Sequence, residues 1–154
     1  MPPRIINGSS ELKGLVGQHV GSSEWFVVDQ GLIDSFAQVT KDRQWIHIDA
    51  ERAKLESPYG TTVAHGFLTL SLMSHLQSQV VQVKGEFTRA INYGFNKVRF
   101  PAPVRAGSRV RLHTKLKSLD EIEGGVQATW EVTVEVEGGD KPAVAAEWLA
   151  RFYK

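Results

Sequence analysis

The sequence predicts an α+β domain in which an antiparallel β-sheet wraps one long central α-helix. Three observations carry that prediction. The stretch Ser57 to Val83 holds 27 residues without Asp, Glu, Lys or Arg, and from Gly66 onward its apolar positions repeat at helical spacing. Later segments alternate apolar and polar residues at period two, as half-buried strands do. Glycine pairs at Gly124-Gly125 and Gly138-Gly139 punctuate those segments at hairpin positions, which makes the strands antiparallel neighbours.

The elements follow in order. Met1 to Asn7 contains Arg4 and two prolines but no apolar run with a small-residue cleavage site, so it does not read as a secretory leader. Residues 1–10 are expected to form a flexible arm. Ser23 to Val28, with Trp25, Phe26, Val27 and Val28, has the aromatic and β-branched density of a strand. Leu32, Ile33, Phe36 and Val39 then fall at helical spacing, and Asp29 is placed to cap a helix running to Thr40. Lys41 to Asp49 has no clean period and reads as a compact loop or 3₁₀ turn. Asp49 can cap a short helix carrying Ala53 and Leu55, which Ser57-Pro58-Tyr59-Gly60 ends.

In the central helix Leu68, Leu72, Leu76 and Val80 mark one face, widened by Phe67, Leu70, Met73 and Val81. A helix apolar around so much of its circumference belongs under a sheet. It is not a membrane span, because His65, His75, Gln77, Gln79 and Gln82 interrupt the segment, whereas a span needs about 20 predominantly apolar residues. A strand is expected from Gly85 through Phe100, broken at Asn92-Tyr93-Gly94 and ended by Pro101 and Pro103. Val110, Leu112, Thr114 and Leu116 alternate with Arg109, Arg111, His113 and Lys115. Val126 to Glu137 alternates over twelve residues, and Val144 to Tyr153 does likewise.

No linker or repeat divides the chain, so residues 1–154 read as one domain. Eighteen basic against seventeen acidic residues give a net charge of +1, which offers nucleic acid no electrostatic footprint. The absence of cysteine removes disulfides, iron–sulfur ligation and thiolate catalysis, and fits a reducing, cytoplasmic location. The histidines are not spaced as metal ligands and there is no glycine-rich dinucleotide turn, so neither a metal nor a redox cofactor is expected.

Two polar groups stand out. Taken singly, Asp42 reads as a turn acceptor, His47 as a partly buried histidine, and Gly66 as a site of tight helix packing. Together they place an acid–base couple in a loop beside the amino terminus of a buried helix, where unpaired N–H groups and a partial positive charge can receive a developing oxyanion. The Gly66 amide is the natural donor.

The blocks Phe36-Ala37-Gln38-Val39-Thr40-Lys41-Asp42-Arg43-Gln44-Trp45-Ile46-His47-Ile48-Asp49, Val63-Ala64-His65-Gly66-Phe67-Leu68-Thr69-Leu70-Ser71-Leu72 and Asn92-Tyr93-Gly94-Phe95-Asn96-Lys97-Val98-Arg99-Phe100-Pro101 resemble the MaoC-like dehydratases, the (R)-specific enoyl-CoA hydratases of the hot-dog fold. The resemblance implies reversible hydration of a trans-2-enoyl thioester to the (R)-3-hydroxyacyl thioester, a lyase reaction of fatty-acid metabolism. The family's catalytic aspartate and histidine match Asp42 and His47, and its histidine–glycine pair matches His65 and Gly66. Gln44-Trp45 stands where many members have asparagine and proline, and Lys41 where glycine is frequent, departures that bear on pocket shape.

On this reading Asp42 is the principal base in hydration, and His47 orients the water and assists proton transfer. Histidine, titrating near 6.5, matches neutral-pH proton transfer better than an ordinary carboxylate, so the division of labour belongs to the pair. His65 and Gln44 support the loop. Lys97, Arg99, Arg109 and Arg111 are candidates for the phosphates of coenzyme A or an acyl carrier protein, although an exposed strand face also accounts for them. Coenzyme A enters as part of the substrate, and no other cofactor is called for. The commonest family assembly is a dimer joined edge to edge, so a homodimer is expected. An acyl-thioester hydrolase and a noncatalytic acyl-carrier binding module are the alternatives, since fold alone does not choose among them.

Overall fold

A computed structural model describes residues 1–154 throughout. The elements are β1 (Arg4–Asn7), α1 (Gly8–Gly14), β2 (His19–Ser22), β3 (Phe26–Val28), α2 (Gln30–Thr40), α3 (Trp45–Ile48), α4 (Ala50–Glu56), α5 (Gly66–Ser78), β4 (Val81–Lys84), β5 (Arg89–Arg99), β6 (Ser108–Ile122), β7 (Gly125–Val136) and β8 (Val144–Tyr153). The main sheet runs in the order β2-β6-β7-β8-β5, with β3 also paired to β6, and every pairing in it is antiparallel.

The alternation read from the sequence decides which side chains face the helix. Val110, Leu112, Thr114 and Leu116 of β6, Val126, Ala128, Trp130, Val132 and Val134 of β7, and Val144, Ala146, Trp148, Ala150 and Phe152 of β8 are all buried. All of these but Thr114 meet Leu68, Met73 and Leu76 of α5 in one apolar cluster. At roughly 1.5–3 kcal/mol for each fully buried large aliphatic side chain, this contact is the main force holding α5 in the sheet's concavity. The left-handed turns at Gly124 (φ 80°) and Gly138 (φ 78°) follow β6 and β7, as the glycine pairs predict.

The structure corrects four expectations. The flexible arm is replaced by β1, which pairs in parallel with β4 from Arg4↔Val81 to Asn7↔Lys84 and leads into α1. Ile6 and Leu12 are buried against the core, a long-range contact that no local pattern announces. The central helix ends at Ser78, and Val80 and Val81, which extended its apolar face in the sequence, lead into β4 and are buried there. The expected break at Asn92-Tyr93-Gly94 is a register shift within a continuous β5, so an irregularity absorbs what would otherwise end the strand. The loop after α2 contains a helical turn, α3.

Two local signals position that loop. The Asp29 side chain accepts the Leu32 N–H at 2.9 Å and caps α2 at its start. At its end Lys41 adopts the left-handed conformation (φ 70°), the one non-glycine residue to do so. Glycine ordinarily holds such a helix-terminating position, and a side chain there costs about 1–2 kcal/mol. The bend sends the chain straight into Asp42.

Candidate active site

The segment Thr62–His65 is the frame of the site. It is extended and held on both sides: Ala64 N–H donates to Val104 O (2.8 Å) and Ala106 N–H to Thr62 O (3.0 Å), while Val63 N–H donates to Ile46 O of α3 (3.1 Å). His47, on the same helical turn, completes the clamp, its Nδ1 lying 2.7 Å from Val63 O. A carbonyl can only accept, so Nδ1 carries the proton and Nε2 keeps its lone pair.

His65 closes the arrangement from the other side. Its Nε2 donates to the main-chain carbonyl of Asp42 at 2.9 Å, and its ring stacks on that of His47 with centroids 3.8 Å apart and planes 23° from parallel. Phe36 of α2 meets the His65 ring edge-on at 5.0 Å. The nearest donor atoms of Asp42, His47 and His65 all lie within 4.8 Å of one another. Such a trio is also a set of metal donors, but stacked imidazoles point their in-plane lone pairs side by side, so a common ion would require one ring to turn.

Burial divides the three. Asp42 is exposed, His47 half-buried and His65 fully enclosed. Burial lowers the proton affinity of His47 below its ordinary value of 6.5; the Val63 bond opposes this, His65 adds to it and the Asp42 carboxylate opposes it. The net direction favours neutral imidazole with a free Nε2 at neutral pH.

The amino terminus of α5 supplies the second half of the site. His65 occupies the cap position without a side-chain cap bond, and the N–H groups of Gly66 and Phe67 have no acceptor. Gly66, His47 and Gln44 line one cavity of about 300 Å³, whose far wall includes Phe100, Thr69 and Val104. A Cβ on Gly66 would stand 3.1 Å from the Phe100 ring, so the glycine here accommodates an aromatic neighbour.

The structure thus brings Asp42, His47, His65 and Gly66 together, and puts Gln44 on the cavity wall itself, its N–H facing Asp42 Oδ1 at 3.4 Å. It does not bring the four basic candidates to that cavity. Arg109 pairs with Glu137, Arg111 with Glu135 at 2.7 Å, and both guanidinium groups lie over the Trp25 ring. Lys97 lines a different hollow, with His19 and Lys115. Arg99 precedes Phe100 and is the candidate nearest in sequence to the cavity wall.

Sequence reasoning passed over Gln30. Its amide N–H₂ donates to His47 O (2.8 Å) and to Asp34 Oδ1 (2.8 Å), while its carbonyl accepts from the buried Thr62 hydroxyl. Both Asp42 and His47 are therefore held by their main-chain carbonyls, one by His65 and one by Gln30. A polar residue in the first turn of a helix was the only available signal.

Known proteins resemble the chain along most of its length. The profile of the MaoC like domain matches residues 11–139. The chain is 49% identical over 150 residues to 3-hydroxyacyl-thioester dehydratase Z of Mycobacterium tuberculosis (strain ATCC 25618 / H37Rv), covering 97% of this chain and 98% of that protein. It is 45% identical over 142 residues to Nodulation protein N of Rhizobium meliloti (strain 1021), covering 92% and 88%. Among solved structures, the (R)-hydratase from A. caviae involved in PHA biosynthesis superposes with a TM-score of 0.71 at 26% identity, over 88% of this chain and 94% of that one. The monoamine oxidase regulatory protein from Archaeoglobus fulgius superposes with a TM-score of 0.79 at 22% identity over 100% and 99%, a likeness of fold.

Proposed function

Because the chain belongs to the MaoC-like dehydratase family, with its hot-dog fold, we propose that it catalyses reversible hydration of a trans-2-enoyl thioester to the (R)-3-hydroxyacyl thioester. The observation that carries the reading is that Asp42 and His47 bring their side-chain polar atoms within 4.8 Å of each other, while His47 shares a cavity with Gly66, whose unpaired amide opens α5. An Asp–His couple also activates water in hydrolysis, so the choice of hydration rests on the 49% identity to a 3-hydroxyacyl-thioester dehydratase, and a noncatalytic binding module has no use for the couple.

In the hydration direction a water held between the Asp42 carboxylate and His47 Nε2 adds its oxygen to C3. Its proton passes to Asp42 with His47 assisting, and the π electrons of the C2–C3 bond move toward the thioester carbonyl. The resulting oxyanion is met by the Gly66 N–H, a contribution of about 2.7–4 kcal/mol for a preorganised donor. A proton returned from the couple to C2 completes the addition. Dehydration is the same path reversed.

The thioester carrier is coenzyme A or an acyl carrier protein, with Arg99 the basic side chain best placed by sequence to meet its phosphates. The working form is a homodimer. Supporting this, β5 pairs on one side only, with β8, and presents exposed Ile91, Tyr93 and Phe95. An apolar sheet edge of this kind invites pairing with a second copy. No helix is long and apolar enough to cross a membrane.

The test is incubation with crotonyl-CoA and longer trans-2-enoyl-CoAs, following loss of the enone absorbance and the chirality of the product. The (R)-3-hydroxyacyl-CoA is expected, and D42A and H47A should each lower turnover by about a hundredfold or more while keeping the parent circular dichroism. Thiol release without hydration across the series would establish the hydrolase instead. Full turnover in both variants would remove Asp42 and His47 from the chemistry.

A further inference from the structure

His65 is 2% exposed, and its Nδ1 is buried with no hydrogen-bond partner. An orphaned buried polar atom costs about 1–3 kcal/mol, which an apolar residue of similar size would avoid. Mere packing against Phe36 does not require imidazole. What does require it is the pair of contacts made at once: an N–H for the Asp42 carbonyl and a flat ring for the face of His47.

We propose that His65 is a positioning residue of the reaction, fixing the main chain of Asp42 and the ring plane of His47 through one side chain. The inference rests on the hydratase reading for its kinetic consequence, but its titration consequence stands without it.

The first function is geometric. Asp42 is exposed and sits just after the left-handed Lys41, so little else restrains its carboxylate. The His65 N–H ties that loop to the same segment that holds His47 through Val63. The spacing between carboxylate and Nε2 is then set by one rigid strip of backbone. The His47 ring is fixed at two points, by Val63 O at Nδ1 and by the His65 face, leaving Nε2 as its working atom. A loosening of about 1 Å between such groups costs up to a hundredfold in rate.

The second function is electrostatic. The His65 ring lies 3.8 Å from that of His47 in a partly enclosed site and opposes a positive charge on His47. The titratable groups around His47 are Asp42, His65, Tyr59 on the cavity wall and Asp34 of α2, one amide away through Gln30. His65 acts in the same direction as burial, keeping His47 neutral to lower pH.

The experiment uses two variants of the full-length protein. H65L fills the volume but offers neither N–H nor ring; H65Q restores a donor for Asp42 without the ring. Three readouts are taken: thermal melting, steady-state kinetics on the enoyl thioester that the parent uses best, and NMR titration of the His47 ring. H65L should melt within a few degrees of the parent, or above it, yet lose about ten- to a hundredfold in kcat with a smaller change in KM. H65Q should recover a substantial part of that loss. In both, the His47 titration and the acid limb of kcat/KM should move to higher pH. Parent-like kcat in H65L, or an unmoved His47 titration in either folded variant, overturns the proposal. A parent without hydratase turnover overturns the functional reading instead, and the NMR titration still decides the inference.

Discussion

In the proposed mechanism the chemistry turns on His47, because its hydrogen bond to Val63 O leaves Nε2 unprotonated and burial keeps it so. The sign of the resulting pH dependence follows directly. Protonation of Nε2 removes the acceptor that holds water, so kcat/KM should fall on the acid side, with a midpoint below 6.5. The same depression acts on stability: as pH drops below 6.5 the unfolded chain takes up the proton before the folded one, and stability declines until the folded midpoint is passed. A pH–rate profile and a parallel denaturation series check both, and H47Q should remove this component from the stability curve. An acid limb above 6.5 would contradict the assignment. The meeting of Asp42, His47, His65 and Gly66 in space was legible in the sequence because they fall in short ordered blocks. Gln30 was not, since its partners Thr62 and His47 O become neighbours only on folding.

At the scale of elements, α5 and the segment before it do two jobs, burying one face under the sheet and presenting the free Gly66 amide at the cavity. Phe100, following β5, packs against Gly66 and meets Phe67 edge-on at 6.2 Å. In the proposed mode of binding, the volume above Gly66 is shared between this ring and the substrate. G66A should lower kcat/KM, and F100A should offset part of that loss, so that the double variant is better than the product of the two single effects. Strictly multiplicative losses would mean that a methyl group at Gly66 obstructs the acyl group alone. Strands β6, β7 and β8 were readable because the period-two pattern of their helix-facing side chains is written locally, although Thr129 and Leu149 are buried on the opposite face. The end of α5 was misjudged because Val80 and Val81 continue its apolar face at helical spacing, whereas pairing with β1 draws Val81 into β4. Arg109 and Arg111 looked available for phosphate because the carboxylates that engage them lie across a strand pair, on β7 and just beyond it.

For the whole molecule, the parallel pair β1–β4 joins the two ends of the helical half and covers one margin of the core. Removal of residues 1–14 takes away Ile6 and Leu12, whose burial alone is worth about 3–6 kcal/mol. The truncated protein should melt lower by about 10 °C or more in calorimetry. An unchanged melting temperature would restore the flexible arm that the local sequence suggests. The proposed dimer belongs to the same scale, and light scattering at assay concentration should report twice 17.1 kDa, whereas a monomer would leave the β5 edge unexplained.

The arrangement of the couple and the helix amides about a single thioester is most directly tested by a crystal structure with a bound (R)-3-hydroxyacyl-CoA. The account predicts the thioester oxygen within hydrogen-bond distance of the Gly66 N–H and the C3 hydroxyl within reach of both Asp42 and His47 Nε2. A ligand whose thioester lies away from the start of α5, with C3 beyond both residues even through one water, would contradict it.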